Sequence, residues 1–277
     1  NRELIKKGTI KKFNVINKDN EEKISEYFDN LFVGLNSFIE QPYFKENFNI
    51  LTSKNLTEEQ KRSIHQKFKK EIFRSIKINY QFENIYLINP DKSTLFDYKK
   101  DHSSNEDFRN IDKEFIDLID KKPPNVNHVI LEDKKFYNYL TLPIQHNNKY
   151  SILVCKIDVT KVLRETVFKN YNPSNSFQQI AYKNNVNDYH FFDCQTHAPL
   201  LTPESNYSKG LFCLDRNNKI GKYSELYPRG TGEFLDKNNE SQIASWRYIP
   251  QLGIGLIIQQ KEVDVYDDYI LENNDNF

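Results

Sequence analysis

His190-x-x-Asp193-Cys194-x-x-His197 gathers within eight residues the side-chain types that bind zinc. The spacing matches no closed structural site. A strand over Tyr189–Phe192 also turns His190 and Asp193 to opposite faces, so no metal is expected. The three cysteines, Cys155, Cys194 and Cys213, form no Cys-x-x-Cys pair, and their odd number leaves at least one thiol free. Cys155 sits in the apolar run Ile152-Leu153-Val154-Cys155 and reads as a small buried hydrophobe; a Cys194–Cys213 bridge stays open. No Gly-x-Ser-x-Gly, phosphate loop or His-Glu-x-x-His is present, and glycine occurs only eight times. Neither a cofactor nor a catalytic activity is expected, although a scattered catalytic triad needs no local motif.

The balance of 39 basic and 39 acidic residues removes the electrostatic case for a nucleic-acid partner. Twenty Phe and 17 Tyr supply core material in a chain of 277 residues, enough for one large or two ordinary domains. The chain opens on Asn1 and lacks methionine, which predicts that it is part of a longer protein. No apolar run approaches a membrane span.

Ile24, Tyr27, Phe28, Leu31, Phe32, Leu35 and Phe38 recur at three- and four-residue spacing and predict an amphipathic helix. Thr57 with Gln60 forms a capping box for a second helix that turns Ile64, Phe68, Ile72, Phe73 and Ile76 inward. The period then changes. Ile85–Ile88 and Ser93–Tyr98 read as strands around the turn Asn89–Lys92. A short helix follows over Asp107–Asp120, then strands over Val126–Leu131, Phe136–Ile144 and Tyr150–Ile157. Asp158 is expected to cap a helix holding Val162, Leu163 and Val167. After the turn-rich Asn170–Asn175, strands are expected at Tyr189–Phe192, Pro199–Pro203 and around Gly230–Phe234. Ala244–Ile249, closed by Pro250, and Gly255–Ile258 then form a final hairpin. Its alternation puts Ala244, Trp246 and Tyr248 on one face, and Arg247 opposite them as an exposed or salt-bridged residue.

These segments, in this order, resemble a double Cache sensor domain. The carriers are F-E-N-I-Y-L-I-N-P-D-K-S-T-L-F, a strand ending in L-P-I, S-I-L-V-C-K-I-D-V-T-K-V-L, the segment L-L-T-P, and above all the closing A-S-W-R-Y-I-P-Q-L-G-I-G-L-I-I-Q-Q. The resemblance implies an α+β fold, a long N-terminal helix followed by two tandem PAS-like (Cache) antiparallel-sheet modules. The expected division is a helical region 1–79, a membrane-distal module 80–170, a membrane-proximal module 171–265 and a tail 266–277 leading toward a membrane helix. It further implies the periplasmic or extracellular part of an inner-membrane receptor that binds a small molecule in the distal module. The membrane helices would flank this chain, and the first helix could pair with a second copy.

The ligand residues follow from the same resemblance. Arg109 stands near the family's cleft arginine, but Asn110-Ile111-Asp112 replaces the aromatic run expected after it. Asp158 matches the aspartate of the last strand, and Asp133 the middle one if a gap is allowed. Tyr86, Tyr137 and Tyr139 lie on cleft-forming strands, with Tyr137 and Tyr139 on one face by alternation. Core packing is the competing reading for all three tyrosines, and a solvated helix start for Arg109. The other functional reading is a secreted interaction or effector protein, or a hydrolase, without membrane flanks.

Overall fold

The computed structural model describes residues 2–100, 125–126, 129–133, 135–146, 149–168, 176–183, 189–193, 198–200, 229–235, 240–249, 252 and 254–274. The helix expected over 107–120, Arg109, Cys194, His197 and Cys213 lie outside them.

Helix α1 (Arg2–Ile39) is one unbroken element. Its buried line runs through Lys6, Phe13, Asn17, Asn20, Ile24, Phe28, Leu31, Leu35 and Ile39, three or four residues apart from Phe13 onward, as a 3.6-residue period requires. Helices α2 (Pro42–Leu51), α3 (Glu58–Lys67) and α4 (Arg74–Tyr80) follow. Pro42 at the first position of α2 uses the one helical site where a missing N–H costs nothing. The Thr57 hydroxyl accepts from Gln60 N at 3.2 Å while the Gln60 side chain accepts from Thr57 N at 2.9 Å, which closes the capping box. A π-helical turn, Phe68–Ile72, joins α3 to α4, and Gln81 in the left-handed region ends α4.

The chain forms two compact units. One holds residues 27–127 and 137–159, with strands β1 (Phe82–Ile88), β2 (Thr94–Asp97), β3 (Asn125–Val126), β5 (Lys135–His146, from Tyr137 onward) and β6 (Lys149–Asp158). Their order is β2-β1-β6-β5-β3, antiparallel at every junction. Leu87, Phe96, Leu140, Leu142, Leu153, Cys155 and Ile157 share one buried face. Phe96 of that face meets Phe68 and Phe73 at 5.8 and 5.3 Å between ring centroids, and Phe44 and Phe48 stack beside them at 5.8 Å. This aromatic cluster is the unit's core.

The other unit holds residues 1–26, 128–136 and 160–277. Besides the first part of α1 it contains β4 (Ile130–Glu132), helix α5 (Thr160–Phe168), strands β7 (Ser176–Lys183), β8 (Tyr189–Asp193), β9 (Ala198–Leu200), β10 (Arg229–Leu235), β11 (Ser241–Ile249) and β12 (Ile254–Lys261), and helix α6 (Glu262–Asn274). The sheet order is β10-β11-β12-β7-β8-β9. The closing hairpin forms as expected, with Ser245 opposite Ile258 and Trp246 opposite Ile257.

Three expectations need correction. The strand over 126–131 is two strands, β3 and β4, on either side of residues 127–129. Arg247 is not exposed: it is 4 % exposed, because the face it shares with Ser245 packs on α1. Its guanidinium donates to Glu21 at 2.5 Å and to Asn14 at 3.1 Å, so its salt-bridge reading holds. Asp158 is not at the N-cap position, since it is the last residue of β6 and α5 begins at Thr160. The Thr160 hydroxyl accepts from Phe136 N at 2.7 Å.

Candidate functional site

In an antiparallel pair, directly opposed residues point to the same side of the sheet. The registers Tyr137 to Asp158, Tyr139 to Lys156, Thr141 to Val154 and Tyr86 to both Val154 and Asp97 therefore set these side chains on one face. It is the face opposite the aromatic core. Asn84, paired with Lys156 across β1 and β6, belongs to it as well.

A sheet face that merely met water would carry exposed polar groups. This one is closed off: Tyr139 is 0 % exposed, and Tyr86, Asn84, Asp97 and Thr141 are all buried. Its polar groups are tied down individually. Asn84 donates to Asp97 Oδ1 at 2.9 Å, and the same oxygen accepts from Lys99 N at 3.0 Å. The Lys156 ammonium lies 4.5 Å from the ring centroid of Tyr137 and 5.3 Å from that of Tyr139, within the range where a ring's negative face attracts a cation. Lys156 and Asp158 are half-buried. Two residues along an extended strand, their Cα atoms stand about 7 Å apart.

Tyr86, Tyr137, Tyr139 and Asp158, four residues singled out by sequence, thus come together on one buried face. Asp133 sits off the sheet, exposed, in the turn before β5 with φ 48°. Sequence reading missed Lys156, Asn84 and Asp97. The alternation that marked the tyrosines applies equally to Lys156, two residues before Asp158, and was the signal that could have found it. Chemically the face combines a cation, carboxylates, phenols and an amide, groups of the kind that can orient a small ligand.

The second sheet also has a face turned away from α1, with Gln242, Ala244, Trp246, Ile257 and Gln259 buried on it. Gly230 is required there: a Cβ would lie 1.9 Å from Cζ2 of Trp246. No group of three or more His, Cys, Asp or Glu side chains able to hold a metal occurs among the described residues. Nor is any helix among them long and apolar enough to cross a membrane.

No family model and no curated protein matches the chain. Solved structures do. The ligand-binding domain of the Campylobacter jejuni chemoreceptor Tlp3, in complex with L-valine, superposes with a TM-score of 0.59 at 15 % identity, covering 96 % of this chain and 97 % of that one. The ligand-binding domain of the Pseudomonas aeruginosa PAO1 amino acid chemoreceptor PctC, in complex with GABA, gives 0.53 at 12 % identity over 91 % and 100 %. The extracellular domain of a candidate histidine kinase, vpHK1S-Z8, gives 0.52 at 13 % identity over 96 % of both chains. Over nearly its whole length, this chain shares the fold of these ligand-binding and extracellular domains, a long N-terminal helix with two antiparallel-sheet modules.

Proposed function

We propose that this chain is the extracytoplasmic ligand-sensing region of a bacterial membrane receptor, and that a small molecule binds on the face shared by β1, β5 and β6. The receptor class is a chemoreceptor, a sensor kinase or a cyclic-dinucleotide enzyme, with its output on the far side of the membrane. The carrying observation is the closed polar face itself. Burying Tyr139, Asn84, Asp97 and Thr141 together costs desolvation that an apolar sheet would avoid, so the arrangement points to recognition. Similar folds hold L-valine in Tlp3 and GABA in PctC, which supports small amines and carboxylates as the first ligands to try. Tyr86, Tyr137, Tyr139 and Asp158 are the proposed contacts, with Arg109 and Asp133 added from the resemblance. Binding would shift the balance between two arrangements by its differential affinity for them. Pairing with a second copy through α1 is part of the proposal; Leu4 and Val15, both exposed, lie about three turns apart on one side of it.

The test is a thermal-shift and calorimetry screen against amino acids, polyamines, small carboxylates and purines. A specific ligand raises Tm by mass action, about 2.7 kcal/mol at a hundred times its Kd. Asp158→Ala abolishes the shift while far-UV dichroism stays unchanged. A shift that survives Asp158→Ala and Tyr139→Ala moves the site elsewhere. No shift across the screen favours a protein partner, and a gene without apolar spans flanking this region would overturn the receptor reading.

A further inference from the structure

We propose that the face of the second sheet turned away from α1 holds a ligand site of its own, for a flat, uncharged nitrogen heterocycle that donates an N–H to the Gln259 side chain. Gln259 is 3 % exposed, and its Oε1 is buried without a hydrogen-bond partner. A carbonyl oxygen so placed has given up water and gained nothing in return, a cost that an apolar residue in β12 would avoid. Gln259 stands opposite Ala244 on β11, and Ala244 opposite Gly232 on β10. The two positions beside the amide along this row therefore carry one methyl group and no side chain at all. Glycine inside a strand weakens it and marks a place where another group approaches the backbone closely. In the adjacent row that group is the indole: a Cβ on Gly230 would lie 1.9, 2.2 and 2.6 Å from three atoms of the six-membered ring of Trp246, so the ring lies across the sheet. The strip from Gly232 to Ala244 thus runs between an aromatic plate and an orphaned acceptor. Gln242, two residues before Ala244, adds a second buried amide. Among the described side chains of β11 and β12 on this face the one charge is Lys261, ion-paired with Glu240 at 2.6 Å. An amide oxygen calls for a donor, an indole for a flat ring to stack on, and paired charge for a neutral molecule; nucleobase-like rings combine the three. The site lies wholly within the unit that contains β10, β11 and β12 and does not rest on the reading of the β1–β5–β6 face.

The experiment titrates the whole chain with adenine, hypoxanthine, uracil and nicotinamide by calorimetry. Emission from Trp246, the single tryptophan, is followed in parallel and corrected for absorbance by the probe. At least one probe is expected to bind and to quench that emission. Gln259→Leu weakens it about ten-fold, the upper scale of one neutral hydrogen bond. The same variant raises the urea midpoint, because an orphaned amide gives way to an apolar side chain of similar size. Ala244→Leu fills the strip and abolishes binding, with far-UV dichroism confirming the fold. Asp158→Ala, in the other unit, leaves Kd within about two-fold, as independent sites do. If none of the probes binds, the proposal falls. Binding that Gln259→Leu leaves unchanged also overturns it, and if Asp158→Ala removes that binding the ligand belongs to the β1–β5–β6 face instead. A Gln259→Leu chain less stable than the native one overturns it as well, since the amide would then be serving the fold.

Discussion

Glu21→Ala should destabilise the unit containing β11 by about 3 kcal/mol. The Arg247 side chain is 5 % exposed beneath α1 and its ion-pair partner Glu21 is 21 % exposed. Removing one member of a buried pair leaves an uncompensated charge and costs roughly 3–5 kcal/mol. The lower end applies, because Asn14 still accepts from the guanidinium and the gap left by Glu21 reaches solvent. In a cooperative unit of 150–250 residues, about 3 kcal/mol lowers Tm by roughly 6–12 °C. The chain supplies its own probe, since its single tryptophan, Trp246, is Arg247's neighbour on β11. Urea titration followed by tryptophan emission therefore reads this unit. The double variant Glu21→Met/Arg247→Met removes both charges and should recover at least half of the loss, because well-packed apolar side chains replace buried ion pairs with little net cost. A loss below about 1 kcal/mol for Glu21→Ala, or a double variant less stable than the single one, would refute the account of Arg247 as a buried charge dependent on its partner.

Gly230→Ala and Gly34→Ala form a contrasting pair. At Gly230 a Cβ would stand 1.9 and 2.2 Å from two atoms of the rigid Trp246 indole, an overlap expected to cost about 1–3 kcal/mol or more. At Gly34 the nearest atom, at 2.0 Å, is the Tyr80 hydroxyl at the tip of a side chain that can swing. Alanine also gains about 1 kcal/mol of helix propensity there, so the urea midpoint should change little; equal losses in the two variants would contradict this. For pH, Glu262 is held below the usual carboxylate range first by the Ser241 hydroxyl, then by the Tyr266 hydroxyl and the Lys6 ammonium. A carboxyl depressed by folding stabilises above its unfolded pKa of about 4.3 and loses that contribution as pH falls through the folded value. The stability gap between the native chain and Glu262→Gln should therefore be widest near pH 7 and close below pH 4, and a gap that widens in acid would rule the linkage out.

Legibility in the sequence followed the strength of local signals. The stripe from Ile24 to Phe38 was plain because its residues are large and apolar. The same helix continues back to Arg2, where the helical region expected over 1–79 had no stripe to mark it, since its buried line there passes through Lys6, Asn17 and Asn20, which no hydrophobic periodicity reveals. The capping box at Thr57 and Gln60 was readable because it is chemistry over four residues. Strand β7 escaped notice: Ser-Phe-Gln-Gln-Ile-Ala-Tyr-Lys has no clean alternation, yet it pairs with both β12 and β8 inside the sheet. At Arg247 the alternation left an exposed and a salt-bridged reading open, because it says which face a residue occupies but not what covers that face; the pair with Glu21 is the one that forms. At the candidate site the tyrosines and Asp158 could be named from the resemblance; alternation from Asp158 was enough to put Lys156 on the same face, and the β5–β6 register adds that it stands opposite Tyr139.

The two parts of α1 are held by different physics. Residues Phe28, Leu31, Leu35 and Ile39 are buried beside a phenylalanine-rich core in which Phe38 meets Phe44 and Phe73 at 5.3 and 6.0 Å. Such contacts have no direction and tolerate small displacements. In the other unit the helix is pinned by bonds that do have direction. Asn17 donates to the Ser245 carbonyl at 2.9 Å, Glu21 receives Arg247, and Lys6 reaches Glu233 at 2.8 Å and Glu262 at 3.2 Å. Lys6 thereby ties α1 to the start of α6, and Arg2 lies over the Tyr266 ring one turn further along it. Displacing α1 on this sheet requires these bonds to be exchanged as a set, since a partial shift leaves Arg247 or Lys6 buried and unpaired. Packing of this kind favours discrete positions over continuous sliding.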